Sequence, residues 1–297
     1  MADRAAIAAL AAAEALPEAA AERIHETARR LAGDVLAAAA MHAAPLVVGL
    51  CGAQGSGKST IAKFLTLALE DADKRVAVLS LDDLYLTREQ RQNLAAHVHP
   101  LFATRGVPGT HDVALGLKVL DGLARRAPES ATLIPRFDKA ADTRALPAPE
   151  DMVVGAADVV LFEGWCVGAV PQSDAELAEP VNALERTRDP DGIWRRHVND
   201  ALAGPYRDLF GRIGCLVLIE APGFERVLAW RTEQEAKLRA RVGTSATRVM
   251  SDAEVAVFVQ HYERLTRHIL AEMPGRCNVR IALDADRRVT GYDKRDP

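Results

Sequence analysis

Apolar positions change their spacing once along the chain, and the change separates a helical prelude from an alternating body. Between Ala5 and about Ala40 helix formers dominate, and Ile24, Ala28, Leu31 and Val35 fall at i, i+4, i+7 and i+11 on one face. Pro17 splits this stretch into two predicted helices, and Pro45 closes it. From Leu46 onward the helical period gives way to a short continuous apolar run at Leu46–Cys51 and to similar, mostly apolar runs at Val76–Leu79, Thr132–Ile134, Val159–Phe162, Leu216–Ile219 and Val279–Ala282. A run of that length without polar alternation reads as a strand covered on both faces. Helical periods fall between several of them, notably Ile61–Glu70 and Val113–Leu123. Alternating strands and helices predict an α/β fold: a mainly parallel sheet with helices on both faces, in three layers. Residues 1–45 are expected to form an N-terminal helical segment and residues 46–297 the main domain.

Composition narrows the class. The 297 residues are 49% hydrophobic and 26% charged, the balance of a globular chain with ample core. A formal net charge of -4 and the absence of a long Lys/Arg run remove the electrostatic footprint that nucleic acid requires, so no nucleic-acid partner is expected. Asp3, Arg4 and Glu14 interrupt the Ala-rich start, which therefore resembles neither a secretory signal nor a spanning helix, and no membrane partner is expected. Cys51, Cys166, Cys215 and Cys277 are widely spaced and form no C-x-x-C pair. They read as buried reduced thiols, which suits a cytoplasmic location. The sequence carries no signal for an oligomeric state.

The chemistry starts directly after the first predicted strand. Gly52-Ala53-Gln54-Gly55-Ser56-Gly57-Lys58-Ser59 satisfies the full G-x-x-x-x-G-K-[ST] pattern of a phosphate-binding loop, with Thr60 following. Glycines let the backbone curl so that successive N–H groups point inward, and the next helix offers its positive end to phosphates. Lys58 would reach the β- and γ-phosphates and Ser59 would ligate Mg2+. Ile61, Phe64, Leu65 and Ala68 continue at helical spacing, as the motif's context demands. The fold expected is therefore a P-loop three-layer α/β/α domain binding ATP.

Other classes of P-loop protein fit less well. The chain has no guanine-reading N-K-x-D motif, and motors or transporters are usually longer. A small-molecule kinase should carry an acid near the second strand and a basic lid over the phosphates. Ser80-Leu81-Asp82-Asp83-Leu84-Tyr85 places two carboxylates at the edge where ligands of open α/β folds collect. Either would accept a hydroxyl proton, support magnesium through water, or simply cap a helix. Glu163 ends the Val159–Phe162 strand, where a magnesium-organising acid belongs. Trp230–Arg241 reads as a charged helix whose Arg231 and Arg239 would close over the triphosphate, unless they form only i, i+4 pairs with its glutamates.

With these residues in view, the chain resembles the plant-type D-glycerate 3-kinases, a branch of the P-loop kinases related to uridine, pantothenate and phosphoribulose kinases. The resemblance runs from about Leu46 to Tyr292. It rests on Gly52–Ser59, Leu79–Thr87, Arg105-Gly106-Val107-Pro108-Gly109-Thr110-His111-Asp112, Pro135-Arg136-Phe137-Asp138-Lys139, Leu161–Trp165, Trp230-Arg231 and Met250-Ser251-Asp252. It implies ATP-dependent phosphorylation of D-glycerate to 3-phosphoglycerate, with ATP and Mg2+ as cofactors and a lid over about 230–262. By the same resemblance Asp82 is the base, with Asp83 as the alternative, and Arg105, His111 and Arg136 are candidates for the acceptor carboxylate. Tyr85 and Lys139 join them as substrate-binding candidates. An anionic acceptor explains such cations, since a guanidinium grips a carboxylate through two parallel hydrogen bonds. The competing expectations are a kinase for a nucleoside, a pantothenate-like acid or a sugar, and a nucleotide-binding regulatory protein without metabolite turnover.

Overall fold

The protein is represented by a computed structural model that describes residues 4–42, 45–125, 127, 129–242 and 250–295. Its strands are β1 (Leu46–Gly52), β2 (Val76–Ser80), β3 (Ala131–Leu133), β4 (Phe137–Asp138), β5 (Thr143–Arg144), β6 (Met152–Val154), β7 (Val159–Gly164), β8 (Cys215–Glu220), β9 (Val279–Leu283) and β10 (Val289–Lys294). Six of them make one sheet in the order β10-β9-β8-β1-β7-β2, parallel except for the last antiparallel strand β10. The unbroken apolar runs explain this order: β7 is buried along its whole length and β1 nearly so, as central strands covered on both faces must be.

Each face of the sheet has its own core. On one side Leu46, Val48 and Leu50 pack with Phe64 and Leu65 of the helix Lys58–Glu70 and with Ala28, Leu31 and Val35 of the helix Glu18–Ala39. Pro17 stands at the N-cap of that second helix and separates it from Arg4–Ala13. The apolar stripe of the N-terminal segment thus shares the main domain's core. On the other side Leu79, Phe162 and Leu218 pack with Leu120, Leu202, Tyr206 and Leu265.

One expected strand belongs elsewhere. Thr132–Ile134 does not enter the central sheet; β3 pairs antiparallel with β6 in a separate two-stranded ribbon, and Ile134 lies beyond it. Ala131 and Leu133 face outward and only Thr132 is buried, in contact with the space above Gly122 of the helix Val113–Leu123. A ribbon lying over a helix offers the same apolar letters as a short buried strand. No helix among the described residues is long and apolar enough to cross a membrane.

Candidate active site

Strand register gathers the acids around the phosphate loop. Glu163 on β7 lies level with Leu50 on one side and Ser80 on the other, so the tips of β1, β7 and β2 deliver the loop, Glu163 and Asp82 to one edge. The loop itself turns through left-handed backbone at Gly55 (φ 79°) and Gly57 (φ 84°), and the helix begins at Lys58. The Ser59 hydroxyl donates to Glu163 Oε1 at 3.2 Å, and Lys58 Nζ stands 3.8 Å from Glu163 Oε2. Glu163 Oε2, Ser56 Oγ and Gln54 Oε1 are buried without a hydrogen-bond partner. Buried polar atoms without partners are costly, so their concentration at one loop marks a place where a ligand completes the bonding.

Asp82 and Asp83 part company in the short 3-10 turn Leu81–Leu84 that follows β2. Asp82 Oδ1 accepts from the Tyr85 hydroxyl at 2.7 Å and Oδ2 from Lys139 Nζ at 2.5 Å. Burial would push its carboxyl up, but Lys139 and Lys58, together with those hydrogen bonds, hold it well below the usual carboxylate range. Asp83 faces the other way, accepting from the Phe137 amide at 3.0 Å and Arg136 at 3.2 Å. Burial pushes its carboxyl up against those bonds. Asp83 therefore pins the Pro135–Lys139 segment, while Asp82 faces the phosphate loop's lysine and the Lys139 ammonium.

The remaining residues expected on the acceptor side form a layered wall. His111 stacks on Tyr85 with ring centroids 4.7 Å apart, and its Nδ1 is 2.6 Å from the Tyr206 hydroxyl. Tyr206 also accepts from the Gly109 amide at 3.0 Å. Burial pushes the imidazole down to about 3, although Asp82 pulls it up, so His111 is neutral at physiological pH and offers no cation to a carboxylate. Arg105 donates to Asp142 at 2.5 Å and to the Lys139 carbonyl at 3.2 Å. Arg136 is shared between Asp83 and Asp151, the latter at 2.8 Å. Both guanidiniums thus already hold protein carboxylates.

Arg231 and Arg239, expected to close over the triphosphate, are engaged with protein groups of their own segment. Arg231 pairs with Glu235 at 2.7 Å, and Arg239 donates to the Met250 carbonyl at 2.7 Å and lies 3.3 Å from Asp252. Glu235 accepts from the Met250 amide, so these residues tie the helix Phe224–Val242 to the start of the helix Asp252–Glu272. Positions 243–249 of the expected lid lie outside the described residues. The Thr60 hydroxyl donates to Glu14 at 3.0 Å, beside Lys63.

Sequence reasoning missed the residues that brace these groups. Arg287, at the β9–β10 turn, donates to the Gly55 carbonyl at 2.7 Å and to Glu233 at 2.8 Å, with its guanidinium over the Trp230 ring. Asp142 joins Arg105 to the buried Arg91. Tyr206, Asp142 and Arg287 lie outside every motif, and pairs so far apart in sequence leave no periodic trace.

Known proteins share the sequence and fold to different extents. The sequence profile of the Methylmalonyl Co-A mutase-associated GTPase MeaB family matches residues 10–85, the stretch holding the phosphate loop and its flanking elements. The uncharacterized kinase mug58 of Schizosaccharomyces pombe is 35% identical over 227 residues, covering 73% of this chain and 78% of that protein. The chloroplastic D-glycerate 3-kinase of Arabidopsis thaliana is 31% identical over 225 residues, which span 73% of this chain and 46% of the plant protein. The chain belongs with mug58 to one family of P-loop kinases. The plant D-glycerate 3-kinase is similar to it over the same share of this chain. Among solved structures, the D-glycerate 3-kinase from Cryptococcus neoformans var. grubii matches this kinase with a TM-score of 0.74 and 27% identity, over 91% of this chain and 99% of that one. Membership brings nucleotide and magnesium use in general, and a P-loop kinase fold with a mainly parallel sheet.

Proposed function

We propose that this kinase transfers the γ-phosphoryl group of ATP to the 3-hydroxyl of D-glycerate, giving 3-phosphoglycerate and ADP. The observation that carries the reading is Asp82, set at the strand tip beside Lys58 and joined to a cation, Lys139, on the acceptor side. The names of the plant and fungal relatives support the acceptor's identity.

The proposed roles follow from charge and position. Backbone N–H groups of Gly52–Ser59 and the amino end of the following helix receive the phosphates, and Lys58 neutralises charge between the β- and γ-groups. Asp82 takes the acceptor's hydroxyl proton as that oxygen bonds to the γ-phosphorus. The bond from phosphorus to the β,γ-bridging oxygen breaks, leaving its electron pair on ADP. Lys139 meets the acceptor carboxylate, and Tyr85 with the neutral His111 lines the pocket. Arg105 and Arg136 hold its walls through Asp142, Asp151 and Asp83.

Magnesium fits the donor set. Ser59 and Glu163 are hard oxygen donors side by side, and Glu163 Oε2 is buried without a hydrogen-bond partner. No group of three or more His, Cys, Asp or Glu able to hold a metal exists among the described residues. That suits an ion which keeps several waters and shares phosphate oxygens. When bound, it would neutralise charge developing on the phosphates. The four free buried cysteines suit the reducing cytoplasm where we place the protein.

The test is a coupled ADP-release assay over D-glycerate, uridine, pantothenate and sugars, with Lys58→Ala as the blank. Turnover with D-glycerate well above the others is the expected result. Faster turnover with a nucleoside or pantothenate would overturn the acceptor, and ATP binding without acceptor-dependent ADP release would overturn the enzyme.

A further inference from the structure

Both oxygens of Asp82 are occupied, and the two occupants differ in kind. The Tyr85 hydroxyl holds Oδ1 from a buried ring fixed between His111 and the edge of Phe137. Lys139 holds Oδ2 from a side chain that is 58% exposed and rides on a flexible four-carbon stem. An acceptor hydroxyl approaching Asp82 meets a carboxylate whose free pole is covered by an ammonium. Lys139 is the exposed partner of the pair, so its ammonium can swing from Oδ2 to a second carboxylate that competes for it.

The surroundings leave the Lys139 side chain, and not its backbone, free to make that exchange. Its carbonyl is gripped by Arg105, and its hairpin is anchored through Asp142 to Arg105 and Arg91. Arg136 is fixed between Asp83 and Asp151. Lys58 also acts on Asp82 but faces Glu163 across the phosphate loop. The arrangement offers an incoming carboxylate one cation whose present partner is the base itself.

We propose that Lys139 gates the base: it covers Asp82 Oδ2 until the carboxylate of an acidic acceptor draws the ammonium away and opens that oxygen to the hydroxyl proton. This rests on the reading of Asp82 as the base. An acid then assists its own phosphorylation. Neutral alcohols, and water itself, meet a base that stays covered, so ATP is spared in the acceptor's absence. Lys139 is in this sense a positioning residue that sets specificity for anionic acceptors.

The experiment compares D-glycerate with glycerol, a neutral acceptor of the same carbon count, in Lys139→Met and Lys139→Arg. For Lys139→Met, kcat/KM for glycerate falls about tenfold or more, while kcat/KM for glycerol and acceptor-free ATP hydrolysis each rise about threefold or more. Lys139→Arg restores the wild-type pattern. A lysine that merely binds the carboxylate would leave glycerol turnover unchanged, and that result, or a fall, overturns the gate. Adding Asp82→Asn to Lys139→Met removes the gain with glycerol. If Asp82→Asn alone keeps wild-type kcat with glycerate, the base assignment itself fails. Loss of that kcat without a glycerol gain in Lys139→Met rejects the gate alone.

Discussion

Replacing Gly55 or Gly57 by alanine imposes the same backbone strain in two different surroundings. Both residues sit in left-handed backbone, at φ 79° and 84°, where a Cβ costs roughly 1–2 kcal/mol. At Gly57 a Cβ would meet nothing within 4 Å, so that strain is the whole cost in the ligand-free protein. At Gly55 it would lie 2.7 Å from Trp230 Cβ and 3.3 Å from the Trp230 carbonyl carbon. Trp230 is buried and its indole N–H donates to the Ala285 carbonyl at 2.8 Å, so it resists displacement and overpacking adds roughly 1–3 kcal/mol. An unfolding entropy of about 2.1 cal/mol/K per residue over 297 residues gives about 0.6 kcal/mol per kelvin. Gly57→Ala should therefore lower Tm by about 2–3 °C and Gly55→Ala by about 3–8 °C. Differential scanning calorimetry without nucleotide reads both, and a shift in tryptophan emission should accompany Gly55→Ala. Equal losses in the two variants would show that the loop does not rest on Trp230.

Other substitutions separate chemistry from support. Asp82→Asn should lower kcat roughly 10²- to 10⁴-fold with ATP affinity little changed. Asp83→Asn should instead lower Tm, since it weakens the bonds from Phe137 and Arg136; steady-state kinetics and melting together decide. Arg287→Ala removes a donor from the Gly55 carbonyl and from Glu233, and should raise KM for ATP several-fold while changing kcat less, as read by initial rates and by titration with ADP. Burial pushes the Cys51 thiol up from 9.0 to about 12, so iodoacetamide at about pH 8 should leave it unlabelled until the protein unfolds. The sign follows from linkage. Above about pH 9 the unfolded thiol loses its proton before the native one, so this group's contribution to stability is fully present below that pH and declines as pH rises toward the native value. A denaturant midpoint that rose across that interval in wild type relative to Cys51→Ala would contradict it.

What the sequence made legible was whatever repeats or clusters locally. The phosphate loop carries its chemistry in eight consecutive residues, and β1, β7 and β8 were visible because central parallel strands need apolar side chains on both faces, while β2 at the sheet edge and β9 are buried on alternate residues and showed through short, mostly apolar runs. Thr132–Ile134 misled because an edge ribbon over a helix uses the same residue types at the same density. The doubled acid at 82 and 83 could not be resolved by position, since neighbouring side chains in a turn diverge according to partners that come from elsewhere, here Lys139 and Phe137. Arg105 and Arg136 read as substrate cations because Asp142 and Asp151 lie outside the motifs and the third acid, Asp83, was itself read as a candidate base. Arg287 was invisible for the same reason: its carbonyl partner lies more than two hundred positions away, and no spacing rule reaches that far.

The proposed acceptor wall is drawn mainly from one interval of chain, with Tyr206 behind it from outside that interval. Asp82, Tyr85, Arg105, His111, Arg136, Lys139 and Asp142 all fall between the end of β2 and the start of β7, two strands that lie side by side in parallel. The donor's cradle comes from β1, its loop and the β9–β10 turn. Natural variation in the first interval can thus retune which alcohol is modified while the machinery that spends ATP is inherited unchanged, and a graft of residues 81–158 between relatives is the unit by which acceptor preference would travel.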